Sequence, residues 1–204
     1  PSTPDSNAKI ALVYSGDGVC EEDCADAAAE AARLAGLTPK LVTASSLASN
    51  ATADQVDAFY KNVAVWVEPG GYARNSWEGM NKKMQDSLKA FIVAGGGYVG
   101  FCAGAFMATN KIGGTGAAGL GVFPGNTYPY SGTTNQRVTW LGNPMTIYWE
   151  GGPYFYNLPS TVEATAYYPD NTVAAARTQY GSGRVWLSGP HPEAPGWWNS
   201  TGSS

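Results

Sequence analysis

Basic side chains are scarce in this chain and never gather into a patch. Twelve Lys and Arg stand against sixteen Asp and Glu over 204 residues, a net charge of -4. That balance counts against a nucleic-acid or anionic-membrane partner, and neither is expected. No apolar run approaches the roughly 20 residues that cross a bilayer. Histidine occurs once, at His191, and cysteine three times, at Cys20, Cys24 and Cys102. None of these has zinc-site spacing, so neither a metal nor another cofactor is expected. What is abundant is glycine and aromatic side chains: 26 Gly, 12 Tyr and 7 Trp, with 44% apolar residues overall. A chain of this size and polarity buries a substantial core as one monomeric domain, 1–204. Polar tails are expected at 1–8 and 196–204.

The first half alternates short apolar runs with helical patterns. Lys9–Ser15, Lys40–Thr43, Val63–Val67 and Tyr98–Phe101 read as strands. Glu21–Leu34, Ala53–Tyr60 and Met80–Ala94 read as helices. Continuous apolar strands interleaved with helices indicate parallel β-α units in a sheet covered on both faces, with the ligand crevice at the strands' carboxyl ends. After about residue 110 the texture becomes rich in Gly, Pro, Asn and Tyr. The runs Gln136–Leu141, Met145–Trp149, Val162–Tyr168, Thr172–Thr178 and Arg184–Leu187 read as further strands, the last two joined by a hairpin at Tyr180–Gly183. The fold class is therefore α/β: a three-layer flavodoxin-like sandwich, its central sheet mostly parallel, with additional antiparallel strands in the C-terminal half.

Within that frame Gly100-Phe101-Cys102-Ala103-Gly104 describes a strand turning sharply into a helix. Such a turn holds a side chain proud of the sheet, and helix N-terminal N–H groups behind it favour a thiolate. The strand ending at Ser188-Gly189-Pro190 returns His191 to the same edge. In His191-Pro192-Glu193 the carboxylate can orient the ring, so Cys102, His191 and Glu193 form a candidate catalytic triad. Gly16, Asp17, Gly70, Glu150 and Gly151 are placed along the substrate pocket, Asp17 and Glu68 also reading as ordinary turn and edge residues. Cys20 and Cys24, four apart where a helix begins, are expected to bridge and leave Cys102 as the free thiol. The polar start at Pro1 without Met, and the sequons at Asn50 and Asn199, lead us to expect a secreted glycoprotein.

The segments VWVEPGG, GGGYVGFCAGAFMA, YWEGGPYF and SGPHPE together resemble the class I glutamine amidotransferase-like superfamily. Within it they are most similar to the N-terminal domain of biotin–protein ligases and its free-standing relatives. The resemblance runs from about Lys9 to Glu193. It implies Cys102 as nucleophile, His191 as base, Glu193 as its orienting acid, and the N–H groups of Gly71 and Ala103 as the oxyanion hole. No ligase catalytic domain follows in these residues, so biotinylation is not implied. Glutaminases of this kind usually carry Gln two residues after the second elbow glycine, where this chain has Phe106; glutamine-dependent amide transfer is therefore not expected. Two readings remain. One is a cysteine hydrolase or amidase-like enzyme acting on an amide, ester or peptide bond in a small-molecule, peptide or glycan substrate. The other is a catalytically silent secreted protein that binds a carbohydrate or small molecule and retains the elbow.

Overall fold

The computed structural model describes residues 9–21 and 23–200, side chains of residues 199 and 200 excepted. The expected tail at 1–8 lies outside them. β1 (Ile10–Tyr14) shows why the sheet must be covered twice. Leu12 and Tyr14 enter one apolar cluster, Ala11 and Val13 enter another, and none of the four is exposed. A strand buried on both faces can sit only in the middle of a sheet flanked by helices.

The chain continues as α1 (Cys24–Leu34), β2 (Thr38–Val42), α2 (Ala53–Phe59), β3 (Val63–Glu68), α3 (Ala73–Gly79), α4 (Lys82–Val93), β4 (Gly97–Phe101) and α5 (Ala103–Met107). The C-terminal half supplies β5 (Asn126–Pro129), β6 (Asn135–Trp140), β7 (Asn143–Tyr148), β8 (Pro153–Tyr156), β9 (Glu163–Tyr167), β10 (Val173–Tyr180) and β11 (Gly183–Ser188). All eleven strands belong to one sheet with the order β2-β1-β3-β4-β11-β10-β9-β6-β7, and β8 and β5 branch from β10. Pairing is parallel from β2 through β11 and antiparallel beyond. The architecture is the expected α/β sandwich, with α1 against one face and α2 to α5 against the other.

Local chemistry sets the boundaries. α4 begins two residues later than its periodicity suggests because Asn81 caps it, its side chain accepting the Met84 N–H at 3.0 Å. From there Met84, Leu88 and Ile92 form a fully buried stripe at i, i+4, i+8, each contributing on the order of 2 kcal/mol. α1 starts at Cys24, since Asp23 is left-handed at φ 57. Three elements have no signal in the sequence. α3 is seven residues without a capping side chain, and β5 and β8 are four-residue strands that each contain a proline.

The pairing that matters most for chemistry is β11 with β4. Ser188 lies opposite Phe101, and the Ser188 carbonyl accepts the Cys102 N–H at 2.8 Å. The last strand therefore ends beside the elbow.

Candidate active site

β4 stops at Phe101, α5 starts at Ala103, and Cys102 between them has φ 48 and ψ -101. A side-chain-bearing residue held at positive φ costs about 1–3 kcal/mol and persists only where its surroundings enforce it. They do so here through close packing. A Cβ on Gly100 would lie 2.5 Å from the Gly104 backbone, and one on Gly104 would lie 2.2 Å from the Glu68 carbonyl oxygen. The two elbow glycines are thus required by the seating of α5 on β4 and β3. Tyr98 fastens the turn further, its hydroxyl donating to the Gly104 carbonyl at 2.7 Å. Helix α5 is only five residues long, so the dipole expected from the sequence is that of little more than one turn. The ionisable group that interacts with the elbow's thiol is the His191 imidazole.

His191 is 4% exposed, and its Nδ1 meets Glu193 Oε1 at 2.7 Å, with the Glu193 side chain wholly buried. Its backbone is pinned as well, the His191 N–H donating to the Tyr148 carbonyl at 2.8 Å. Burial works against a charged ring. It is outweighed by the Glu193 carboxylate and by the hydrogen bonds to Cys102 and Glu193, which together raise His191 from 6.5 to about 10. With Nδ1 committed to Glu193, Nε2 is left to serve the sulfur. The structure therefore brings Cys102, His191 and Glu193 together.

The loop after β3 closes on this group. A Cβ at Gly70 would sit 2.7 Å from His191 Cε1 and 3.6 Å from Cys24 Sγ, so only glycine fits between ring and sulfur. Gly71 adopts φ 138 and forms a bridge with Val19, held by Cys20 N–H to the Gly70 carbonyl and Tyr72 N–H to the Gly18 carbonyl. In that pairing the Gly71 N–H points away from the Val19 segment. Neither it nor the Ala103 N–H has a backbone acceptor outside regular elements among the described residues. Cys20 and Cys24 are bridged, with Cα atoms 5.7 Å apart, and Cys102 is the free cysteine.

Other expected pocket residues divide. The Cys102 thiol donates to the Glu150 carbonyl at 3.3 Å, while Tyr148 Oη donates to Glu150 Oε2 at 2.8 Å. Glu150 and the left-handed Gly151 (φ 66) therefore stand over the sulfur. Gly16 packs on the Tyr14 hydroxyl and lines a depression with Cys20 and Cys24, while Asp17, in the turn after β1, lies against Gly79 at the end of α3. Glu68 is no edge residue. It is 0% exposed and accepts from Trp66 Nε1 at 2.9 Å, and burial raises its carboxyl to about 8 against the opposing hydrogen bonds of Trp66 and Ser76. Of the tail expected at 196–204, residues 201–204 lie outside those described. Gly196–Ser200 forms a 3-10 turn that buries Trp198 against the imidazole, ring centroids 5.8 Å apart. Tyr148 flanks the same ring at 5.6 Å. Asn50 is exposed, and the Asn199 side chain lies outside those described. A depression of about 590 Å³ lies away from this group, around Val65, Val99, Arg184 and Trp186. No cluster of His, Cys, Asp or Glu suited to a metal occurs among the described residues, and no described helix is long and apolar enough to cross a membrane.

The sheet order and the elbow define a class I glutamine amidotransferase-like fold. The chain belongs to the biotin–protein ligase N-terminal family, whose profile matches residues 9–119. Solved structures share the fold at low identity. A crystal structure of a glutamine amidotransferase superposes with a TM-score of 0.65 and 18% identity, covering 89% of this chain and 90% of that one. A Thermoplasma acidophilum protein assigned to GMP synthase gives 0.59 and 16%, covering 94% and 88%. The cold-adapted β-galactosidase from Rahnella sp. R3 gives 0.59 and 15%, covering 90% of this chain and 29% of that one. No curated protein sequence matches the chain.

Proposed function

We propose that this protein is a cysteine-dependent hydrolase or amidase acting outside the cell on an amide, ester or peptide bond. The observation that carries the reading is the strained elbow at Cys102 facing a buried, strongly basic imidazole anchored by Glu193. His191 takes the thiol proton, and the sulfur attacks the carbonyl carbon, the C–S bond forming as the carbonyl π pair moves onto oxygen. The N–H groups of Gly71 and Ala103 receive that oxyanion. Collapse of the intermediate breaks the C–N or C–O bond while the imidazolium protonates the leaving amine or alcohol. Water, deprotonated by the same ring, then hydrolyses the thioester and restores the thiol. Phe106 at the position where glutaminases usually carry Gln speaks against glutamine as substrate. The Cys20–Cys24 bridge and the exposed sequon at Asn50 support an oxidising, extracellular setting.

The burial of the thiol beneath the Glu150 carbonyl favours a second reading, a secreted ligand-binding protein that keeps the elbow unused. Iodoacetamide labelling separates the two. In an enzyme Cys102 is labelled faster than a free thiol, and His191→Ala slows labelling by roughly tenfold or more. Labelling at or below the free-thiol rate in both proteins sinks the hydrolase reading.

A further inference from the structure

The segments that frame the elbow differ sharply in the charge they carry. Between Tyr14 and Asp26, between Glu68 and Tyr72, between Gly100 and Asn110, between Tyr148 and Leu158, and between Ser188 and Trp198, no Lys or Arg occurs. Just beyond the Gly70-Gly71 loop, the one basic side chain of α3, Arg74, is held by Glu78 at 2.7 Å. Acids, by contrast, recur. Glu21, Asp23 and Asp26 line a depression of about 350 Å³ whose wall includes Cys20 and Cys24. Cys24 Sγ is in turn packed on Gly70, which touches the His191 ring. On the other side Glu150 is exposed. Its carbonyl receives the Cys102 thiol, and its carboxylate is fixed by Tyr148, whose ring stands 5.6 Å from the imidazole. Glu193, also in these segments, is spent on His191 and Glu68 is buried in the core.

We propose that the mouth of this site takes substrates carrying a positive charge beside the scissile bond, with Glu150 as the side chain that reads it. Substrates with a carboxylate there are rejected. A carboxylate brought to Cys102 finds no Lys or Arg on any framing segment, the His191 ring there being already paired with Glu193, and it meets Glu150 at close range. An ammonium or guanidinium can instead pair with Glu150 and stack against Tyr148. The substrate class is thus a basic peptide or an amine-bearing amide, in contrast to glutamine or a γ-glutamyl compound. This rests on the thiol-hydrolase reading, since it assigns specificity to that same nucleophile.

The test uses three methanethiosulfonates on the intact, unreduced protein: the trimethylammonioethyl, sulfonatoethyl and methyl reagents. Each reacts by attack of the thiolate on the thiosulfonate sulfur, giving a mixed disulfide and releasing methanesulfinate, and intact mass follows the rate. One unit charge about 7 Å away in water changes the local concentration of a singly charged reagent about threefold. Losing one carboxylate then changes the cation-to-anion rate ratio roughly five- to tenfold. We expect that ratio at Cys102 to exceed the ratio for a small free thiol by about tenfold or more, to shrink with added salt, and to fall five- to tenfold in Glu150→Gln. A wild-type ratio within twofold of the free thiol, or one unmoved by Glu150→Gln, overturns the proposal. A thiol inert to the neutral methyl reagent removes the nucleophile itself, and the proposal with it. Among fluorogenic amides, hydrolysis of lysyl or arginyl amides ahead of the γ-glutamyl amide supports it, and the reverse order defeats it.

Discussion

Replacing Glu193 with Gln tests the core of the site with one signal, because His191 is the only imidazole in the chain. The displacement of His191 from 6.5 to about 10 is worth roughly 5 kcal/mol of preference for the imidazolium. Burial opposes that charge, so the preference depends on Glu193 and on the hydrogen bonds to Cys102 and Glu193. Gln keeps the shape and removes the charge, and the midpoint falls by roughly 2 pH units. Because the folded value is raised, the stabilisation is complete below pH 6.5 and is lost as pH climbs from 6.5 to about 10. At pH 6 the variant is therefore less stable by roughly 3 kcal/mol, or about 6–12 °C in Tm for a chain of this size. By pH 10 the two melting points converge. The imidazole Hε1 resonance followed from pH 5 to 11, with Tm at each end, measures both effects. A wild-type ring titrating near 6.5, or a Tm difference that does not change between pH 6 and 10, refutes the reasoning.

Glu68 tilts stability in the same direction: its carboxyl is raised to about 8 by burial, so stability is lost as pH rises from 4.5 to 8. Glu68→Gln cannot ionise, and its Tm should gain on wild type by several degrees more at pH 8 than at pH 4.5; an equal difference at both speaks against a buried neutral acid. Gly104→Ala drives a Cβ into the Glu68 backbone and should cost about 1–3 kcal/mol and slow Cys102 alkylation. Gly36→Ala, at φ 82 with nothing within 4 Å, costs about 1 kcal/mol and leaves alkylation unchanged; denaturant melts and labelling rates compare them. Intact-mass counting after alkylation should find one free thiol in native protein, Cys102, and two more after reduction. Three in the native state would remove the Cys20–Cys24 bridge.

The parallel half was legible because its strands are buried on both faces and write themselves as apolar runs, and because Gly-x-Cys-x-Gly is a steric requirement visible as residues. The Cys20–Cys24 pairing was readable from its spacing. What escaped were elements stabilised only by tertiary contact. α3 lacks a cap, while β5 and β8 survive as a pair anchored to β10. The same holds around the imidazole. Trp198 sits among Gly, Pro and Asn and reads as tail, yet it packs on a ring whose position depends on the sheet order. Tyr148 falls at the end of a strand exposed along most of its length. Glu68 was misplaced because period-two patterning gives the face of the sheet but not what the crossovers lay upon it.

In the sheet β4 lies between β3 and β11, and β11 is the last strand among the described residues. A nascent chain that has emerged through Met107 holds Cys102 but not His191. The ladder that fixes the Cys102 N–H, through Ser188, also does not yet exist. Because β11 inserts between β4 and β10 rather than adding at an edge, its docking is a long-range step that comes late. The thiol therefore passes through synthesis and oxidative pairing without His191 beside it, and meets the imidazole only when β11 docks against β4. A product stalled before β11 keeps Cys102 apart from His191 and Glu193, so the order of assembly sets when the three meet.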